Sequence, residues 1–156
     1  MRFPFCSKNG QLIPPDAAVV SVFNIEYAYG FGVYENLRAS GGRVQFLKDH
    51  LERLFHSAQA IGLSHLITVE LVTKWVGELV LATPEPAYNL KIVLIGASNP
   101  ETCELYILPL APLFPDKKLY TEGALAKTAL YERWLPGAKT LNMLPSYVFH
   151  RMAKEK

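Results

Sequence analysis

The sequence predicts an α/β fold of the α+β type, and three features carry that reading. Two long segments place apolar residues at helical spacing, short apolar runs are bounded by turn-forming residues, and a proline-rich stretch divides the chain. The expected layout is an open mixed sheet with two helices in residues 1–111, a connector at 112–118, and the opening strand and helix of a second domain in 119–156. A unit as short as the last one cannot bury a core alone, so the sequence reads as a truncated two-domain fold.

Residues 2–14 read as a hairpin in which Asn9-Gly10 supplies the left-handed residues of a tight turn. Ala17 to Phe23 is valine-rich, as a strand or an extended arm would be, and the segment from Asn24 to Glu35 is a loop dense in glycine and tyrosine. A second hairpin, Gly32 to Ala39 and Arg43 to Phe46, turns about Ser40-Gly41-Gly42. It leads into a helix from Leu47 to Ile61, where Leu47, Leu51, Leu54, Phe55, Ala58 and Ile61 recur on one face and Gly62 closes the end. A second amphipathic helix is expected from Thr68 to Leu81, ended by Thr83-Pro84-Glu85-Pro86. Strands follow at Asn89 to Ala97 and Glu104 to Leu110, then the stiff run Pro109 to Pro115. Beyond it, Gly123 to Tyr131 resembles a strand and Asn142 to Lys156 a helix, with Pro145 near its start and Arg151, Lys154 and Lys156 at its carboxyl end.

Composition narrows the function. Half of the 156 residues are hydrophobic and 19% are charged, which argues against general disorder. Sixteen Lys plus Arg against 14 Asp plus Glu leave a net charge of +2 with no basic run, so there is no electrostatic footprint for nucleic acid or an anionic membrane. Cys6 and Cys103 stand far apart without a second pair, which argues against a disulfide framework and a zinc site and fits a reducing cytoplasm. No apolar run approaches the roughly 18 residues of a membrane span.

The residues that point to chemistry are few. Lys139 lies in Pro136-Gly137-Ala138-Lys139-Thr140-Leu141-Asn142, among small and apolar neighbours. Desolvation there would favour the neutral amine, which can attack a carbonyl to give a Schiff base; an ordinary solvated surface lysine is the competing reading. His50 and Arg53 stand three apart on the first long helix and project from one face. Arg53 suits bidentate anchoring of phosphate or carboxylate, or else an ion pair with Asp49 or Glu52, and His50 suits either a base or a structural hydrogen bond. The tyrosines of the 24–35 loop can line a ligand or simply fill core.

Taken in order, Tyr29-Gly30-Phe31-Gly32-Val33-Tyr34-Glu35, then His50-Leu51-Glu52-Arg53-Leu54 with Ser57-Ala58, then Lys139-Thr140-Leu141-Asn142 resemble the fold-type IV pyridoxal-phosphate enzymes. That group includes branched-chain and D-amino-acid aminotransferases and aminodeoxychorismate lyases. The resemblance runs from Asn9-Gly10 to the last helix. It implies pyridoxal 5'-phosphate as cofactor, Lys139 as the Schiff-base lysine and proton shuttle, Arg53 as a phosphate contact, and His50 close behind it. It also implies Tyr34 and Tyr29 around the substrate pocket, a homodimer, and an amino group moved between an amino acid and a 2-oxo acid, with a branched-chain or hydrophobic substrate favoured.

The sequence departs from the family pattern in several places. Asn24-Ile25-Glu26 stands where members often carry Asp-Arg-Gly, Phe31 where they carry Asp, and Met143 near the place of a tyrosine. Lys91 stands where branched-chain enzymes place an arginine, which bears on recognition of a substrate carboxylate. Arg38 and Arg133 are further candidate carboxylate binders. The family's carboxylate for the cofactor ring nitrogen follows the lysine in sequence, beyond Lys156. Two alternatives therefore accompany the transaminase reading: a lyase of the aminodeoxychorismate type, and a non-catalytic fragment lacking half of the cofactor site.

Overall fold

The computed structural model of the protein describes residues 3–154, so the expected start of the first hairpin at Arg2 and the role of Lys156 at the last helix end lie outside the described residues. The chain builds a six-stranded sheet in the order β2-β1-β6-β5-β3-β4. Its strands are β1 (Cys6–Lys8), β2 (Gln11–Ile13), β3 (Gly32–Ser40), β4 (Arg43–Val44), β5 (Ala87–Ile95) and β6 (Glu104–Leu110). Every pairing is antiparallel, which corrects the expected mixed sheet. Short turns at Asn9-Gly10, Gly41-Gly42 and residues 96–103 fold β2 on β1, β4 on β3 and β6 on β5, where parallel neighbours would need a crossover, while β1–β6 and β3–β5 pair antiparallel across longer connections.

Both predicted tight turns form. Asn9 and Gly10 have φ of 49° and 85°, and Gly41 and Gly42 have 57° and 73°, the paired left-handed conformations that match the twist of a hairpin. Asn9 is also tied to β6, donating its N–H to Leu105 O at 2.8 Å and accepting from Leu105 N–H through Oδ1 at 2.7 Å. The segment from Ala17 to Phe23 is not a strand. Residues 15–17 make a single 3-10 turn, and the chain then crosses the sheet face as an extended arm, where its backbone cannot join a ladder.

A short helix α1 (Ile25–Ala28), capped by Asn24 Oδ1, precedes β3. The two long helices follow as expected, α2 (Leu47–Ala60) and α3 (Val69–Ala82). Gly62, at φ 71°, ends α2 with Gly62 N–H bonded to Gln59 O and Leu63 N–H to Ala58 O. Thr68 caps α3, accepting from Leu71 N–H. The helices pack on one sheet face. Leu51, Leu54 and Ala58 of α2 and Val72, Val76 and Leu79 of α3 bury against Val33, Leu37, Leu90, Ile92, Leu94, Leu105 and Ile107. The opposite face holds a smaller cluster, Val93, Ile95 and Tyr106, with Ala18 and Val20 of the arm and Leu141 against it.

After β6 the chain is largely exposed. A short helix α4 (Lys117–Thr121) capped by Asp116 begins inside the expected connector. Gly123 to Tyr131, expected as a strand, is irregular and solvent-exposed, with Leu125 and Leu130 open to water; no strand lies alongside it among the described residues, and an unpaired strand is not stable. Helix α5 (Leu144–Lys154) carries Pro145 in its first turn and Arg151 and Lys154 in its last. Among the described residues no helix is long and apolar enough to cross a membrane, and no group of side chains could hold a metal ion.

Candidate active site

The candidate site forms where β3, α2 and the Lys139 segment meet. Alternation along β3 sends Val33, Glu35, Leu37 and Ala39 toward the helices and Tyr34, Asn36 and Arg38 to the other face. Glu35 is thus placed on an otherwise apolar stripe and is fully buried. Its compensation comes from α2. Arg53 grips it with two hydrogen bonds, Nε to Oε1 at 2.6 Å and Nη2 to Oε2 at 2.7 Å, and His50 Nδ1 lies 2.8 Å from Oε2. The partner of Arg53 is therefore neither Asp49 nor Glu52 but a carboxylate 18 residues earlier in sequence.

Lys139 completes the cluster. Leu135, at φ 51°, starts the turn through Pro136-Gly137, closed by Ala138 N–H to Leu135 O at 3.0 Å. The chain then lies along the edge of β3. Tyr34 N–H donates to Lys139 O at 3.0 Å, Leu141 N–H donates to Gly32 O at 2.9 Å, and Thr140 sits opposite Val33. The Lys139 amine reaches 3.8 Å from Glu35 Oε2 and lies 5.0 Å from the centre of the Tyr34 ring. In place of the apolar sleeve its sequence neighbours predict, the amine has a carboxylate and an aromatic face, because its neighbours turn away into the sheet edge.

Burial pushes the Glu35 carboxyl up, but the hydrogen bonds from Arg53 and His50 and the charges of Lys139 and Arg53 outweigh it and hold the group below the usual carboxylate range. The same bonds raise Arg53 further above its ordinary value. Two cationic side chains thus share one carboxylate, and the cluster keeps an excess of positive charge even with His50 neutral. Arg53 leaves one guanidinium nitrogen uncommitted to Glu35, and its side chain is 53% exposed. Chemically, the arrangement offers a primary amine beside an arginine that can take an anion from solvent.

The other candidates are distributed around this point. Tyr34 lies beside the amine, with its hydroxyl 3.3 Å from Met143 Sδ. A cavity of about 540 Å³ opens there, lined by Tyr27, Tyr29, Tyr34, Lys91 and Met143 among others. Lys91 Nζ lies 5.2 Å from the Tyr34 ring centre, and Tyr29 at the rim is 82% exposed. Arg38 is elsewhere: its guanidinium stacks on Phe114, 5.1 Å from the ring centre, and holds the connector against β3. Arg133 donates to Ala138 O at 2.8 Å, so it braces the backbone just before Lys139.

Two residues of the cluster stand within the quoted motifs but were given no role from the sequence. Glu35 was legible in principle, since a glutamate between Val33, Leu37 and Ala39 at period two puts a charge on a buried face and demands a partner. Ser57 was not. Its hydroxyl accepts from Lys139 N–H at 3.1 Å, a contact over 82 residues that no local pattern announces.

Comparison with known proteins identifies the family. A family model described as amino-transferase class IV matches residues 32–156. D-alanine aminotransferase of Staphylococcus epidermidis is 29% identical over 146 residues, covering 87% of this chain and 51% of that protein. A putative branched-chain-amino-acid aminotransferase of Methanocaldococcus jannaschii is 29% identical over 148 residues, covering 88% and 51%. Among solved structures, the branched-chain aminotransferase of Thermoproteus uzoniensis with norvaline matches at TM-score 0.62 and 30% identity, over 70% of this chain and 41% of that one. The pyridoxal-phosphate form of the Thermobaculum terrenum enzyme shares the fold at TM-score 0.60 and 20% identity, over 76% and 42%. The chain spans about half the length of the curated relatives it matches. With the match covering four-fifths of its residues, the chain belongs to the class IV aminotransferase family.

Proposed function

We propose that this chain carries the lysine-bearing part of a pyridoxal 5'-phosphate site that moves an amino group between an amino acid and a 2-oxo acid. The observation that carries the proposal is the Lys139 amine standing beside the Glu35–Arg53–His50 cluster. The donor set fits such a cofactor: an anion anchor with an uncommitted guanidinium edge, excess positive charge, and an amine held beside it. When bound, pyridoxal phosphate supplies an electron sink for the substrate's alpha carbon.

The residues divide the remaining work. Arg53 would hold the phosphate with the side of the guanidinium that Glu35 does not occupy, and Glu35 fixes the orientation of Arg53 through the bidentate pair. Lys139 provides the amine that attaches the cofactor and then carries a proton at Nζ. Glu35, within reach of that amine, keeps it on the β3 side of the site. Tyr34 presents the aromatic wall between the amine and the 540 Å³ cavity, where Lys91 offers a positive charge to a substrate carboxylate and Tyr29 closes the rim. Division into residues 1–111 and 119–156 about the connector is part of this reading. So is a homodimer, which would cover exposed apolar residues such as Leu125, Leu130 and Trp134.

The test is covalent labelling. Incubation of the full chain with pyridoxal phosphate, borohydride reduction and peptide mass mapping is expected to place the cofactor on Lys139, and Lys139→Ala to abolish it. Labelling spread over surface lysines and unchanged in Lys139→Ala would remove the proposal. With leucine or D-alanine and 2-oxoglutarate, glutamate formation identifies the donor, while pyruvate release from aminodeoxychorismate would identify a lyase instead.

A further inference from the structure

We infer that Ser57 is a positioning residue that sets where Lys139 leaves the edge of β3 and so where its amine points; the inference rests on the cofactor reading above. Ser57 lies on α2 one turn after Arg53 and is fully buried. Its hydroxyl has one hydrogen and two lone pairs. The hydrogen is committed to Arg53 O at 2.8 Å, so toward Lys139 the oxygen can only accept, and it takes the Lys139 N–H at 3.1 Å.

The alternative partner of that N–H is identifiable. Tyr34 N–H already donates to Lys139 O. In a continued antiparallel ladder the reciprocal bond would run from Lys139 N–H to the Tyr34 carbonyl. It goes to Ser57 instead, so the ladder stops at Lys139 and the chain bends toward α2. At that bend the lysine side chain reaches Glu35. Ser57 therefore joins the carrier of the amine to the helical turn that carries the arginine, and does so without touching either charged group.

A serine in mid-helix that bonds the carbonyl four residues back can be merely self-satisfied. The two roles separate in the test. In Ser57→Ala the Lys139 N–H is released to rejoin the ladder, and the amine shifts relative to Arg53; a misplacement of this kind costs about tenfold or more in rate. The experiment follows the first-order rate of labelling of Lys139 at saturating pyridoxal phosphate in the full chain, with borohydride fixation and mass mapping. The same substitution in a Lys139→Ala background gives noncovalent affinity for pyridoxal phosphate. We expect Ser57→Ala to slow labelling about tenfold, with affinity in the Lys139→Ala background within about twofold, and Ser57→Thr, which keeps the hydroxyl, to recover most of the rate. Labelling of Ser57→Ala at the wild-type rate overturns the inference, and so does an equal loss of rate and affinity, which would mark general loosening. Should Ser57→Ala fail to fold, Ser57→Cys, a poor acceptor, decides by the same criteria. Wild-type protein that does not label at Lys139 refutes the cofactor reading itself, a distinguishable result.

Discussion

Glu35 concentrates the electrostatics of the molecule in a single carboxylate. It is wholly buried, yet Arg53, His50 and Lys139 keep it ionised. Folding lowers its pKa, so the unfolded chain takes up the proton at higher pH. The stability it contributes is complete above its ordinary value of 4.5 and is lost as pH falls through the lower native value. Glu35→Gln should cost about 2 kcal/mol near neutrality, below the loss for a fully buried pair because Arg53 remains half exposed. Urea unfolding at neutral pH and again at about pH 3.5 should show the wild-type advantage shrinking on the acid side. An advantage constant with pH would mean the cluster is held by shape rather than charge. Arg53→Ala strands the same carboxylate and should weaken pyridoxal phosphate binding about tenfold or more by titration, since it removes both the proposed anchor for the anion and the support of Glu35.

At the level of elements, the two long helices were readable because their apolar residues repeat at helical spacing, and the hairpins because Asn9-Gly10 and Gly41-Gly42 have few other uses. Glu104–Leu110 matched residue for residue. Gly123 to Tyr131 was misread because it has the composition of a strand, but a strand exists only with a neighbour, and neighbours are tertiary; for Ala17 to Phe23 the same lack of a neighbour decides for the extended arm over the strand. The docking of residues 139–141 on β3 is the reverse case, a ladder with little local signal. Its tightest point is Gly32, where a Cβ would stand 2.6 Å from both Leu94 O and Leu141 Cδ1. Gly32→Ala should therefore cost about 1–3 kcal/mol and, more tellingly, speed hydrogen exchange of the Leu141 amide, which bonds Gly32 O. Leu54→Ala, in the core between α2 and the sheet, should cost about 3 kcal/mol with little effect on that exchange relative to neighbouring amides.

Across the whole molecule, order is uneven. The sheet and its two helices share one core, while residues 122–134 expose Leu125, Leu130 and Trp134 and have no ladder among the described residues. Hydrogen exchange should find Ile92 and Leu94 amides opening only with global unfolding and those of residues 124–130 exchanging freely; comparable protection would mean that the exposed segment is covered by another surface in solution. The candidate site was legible in its parts, Lys139, Arg53, His50 and Tyr34, but not in its assembly, since Glu35 and Ser57 join those parts through contacts across long stretches of chain. That separation has a consequence for synthesis. Lys139 emerges 82 residues after Ser57, on the order of ten seconds later at ribosomal speed. During that interval the β3 edge at Gly32–Tyr34 is unpaired, open to any passing strand. The segment that delivers the amine is thus also the cover of a nascent edge, and a ribosome that stalls before Lys139 leaves behind a template for aggregation.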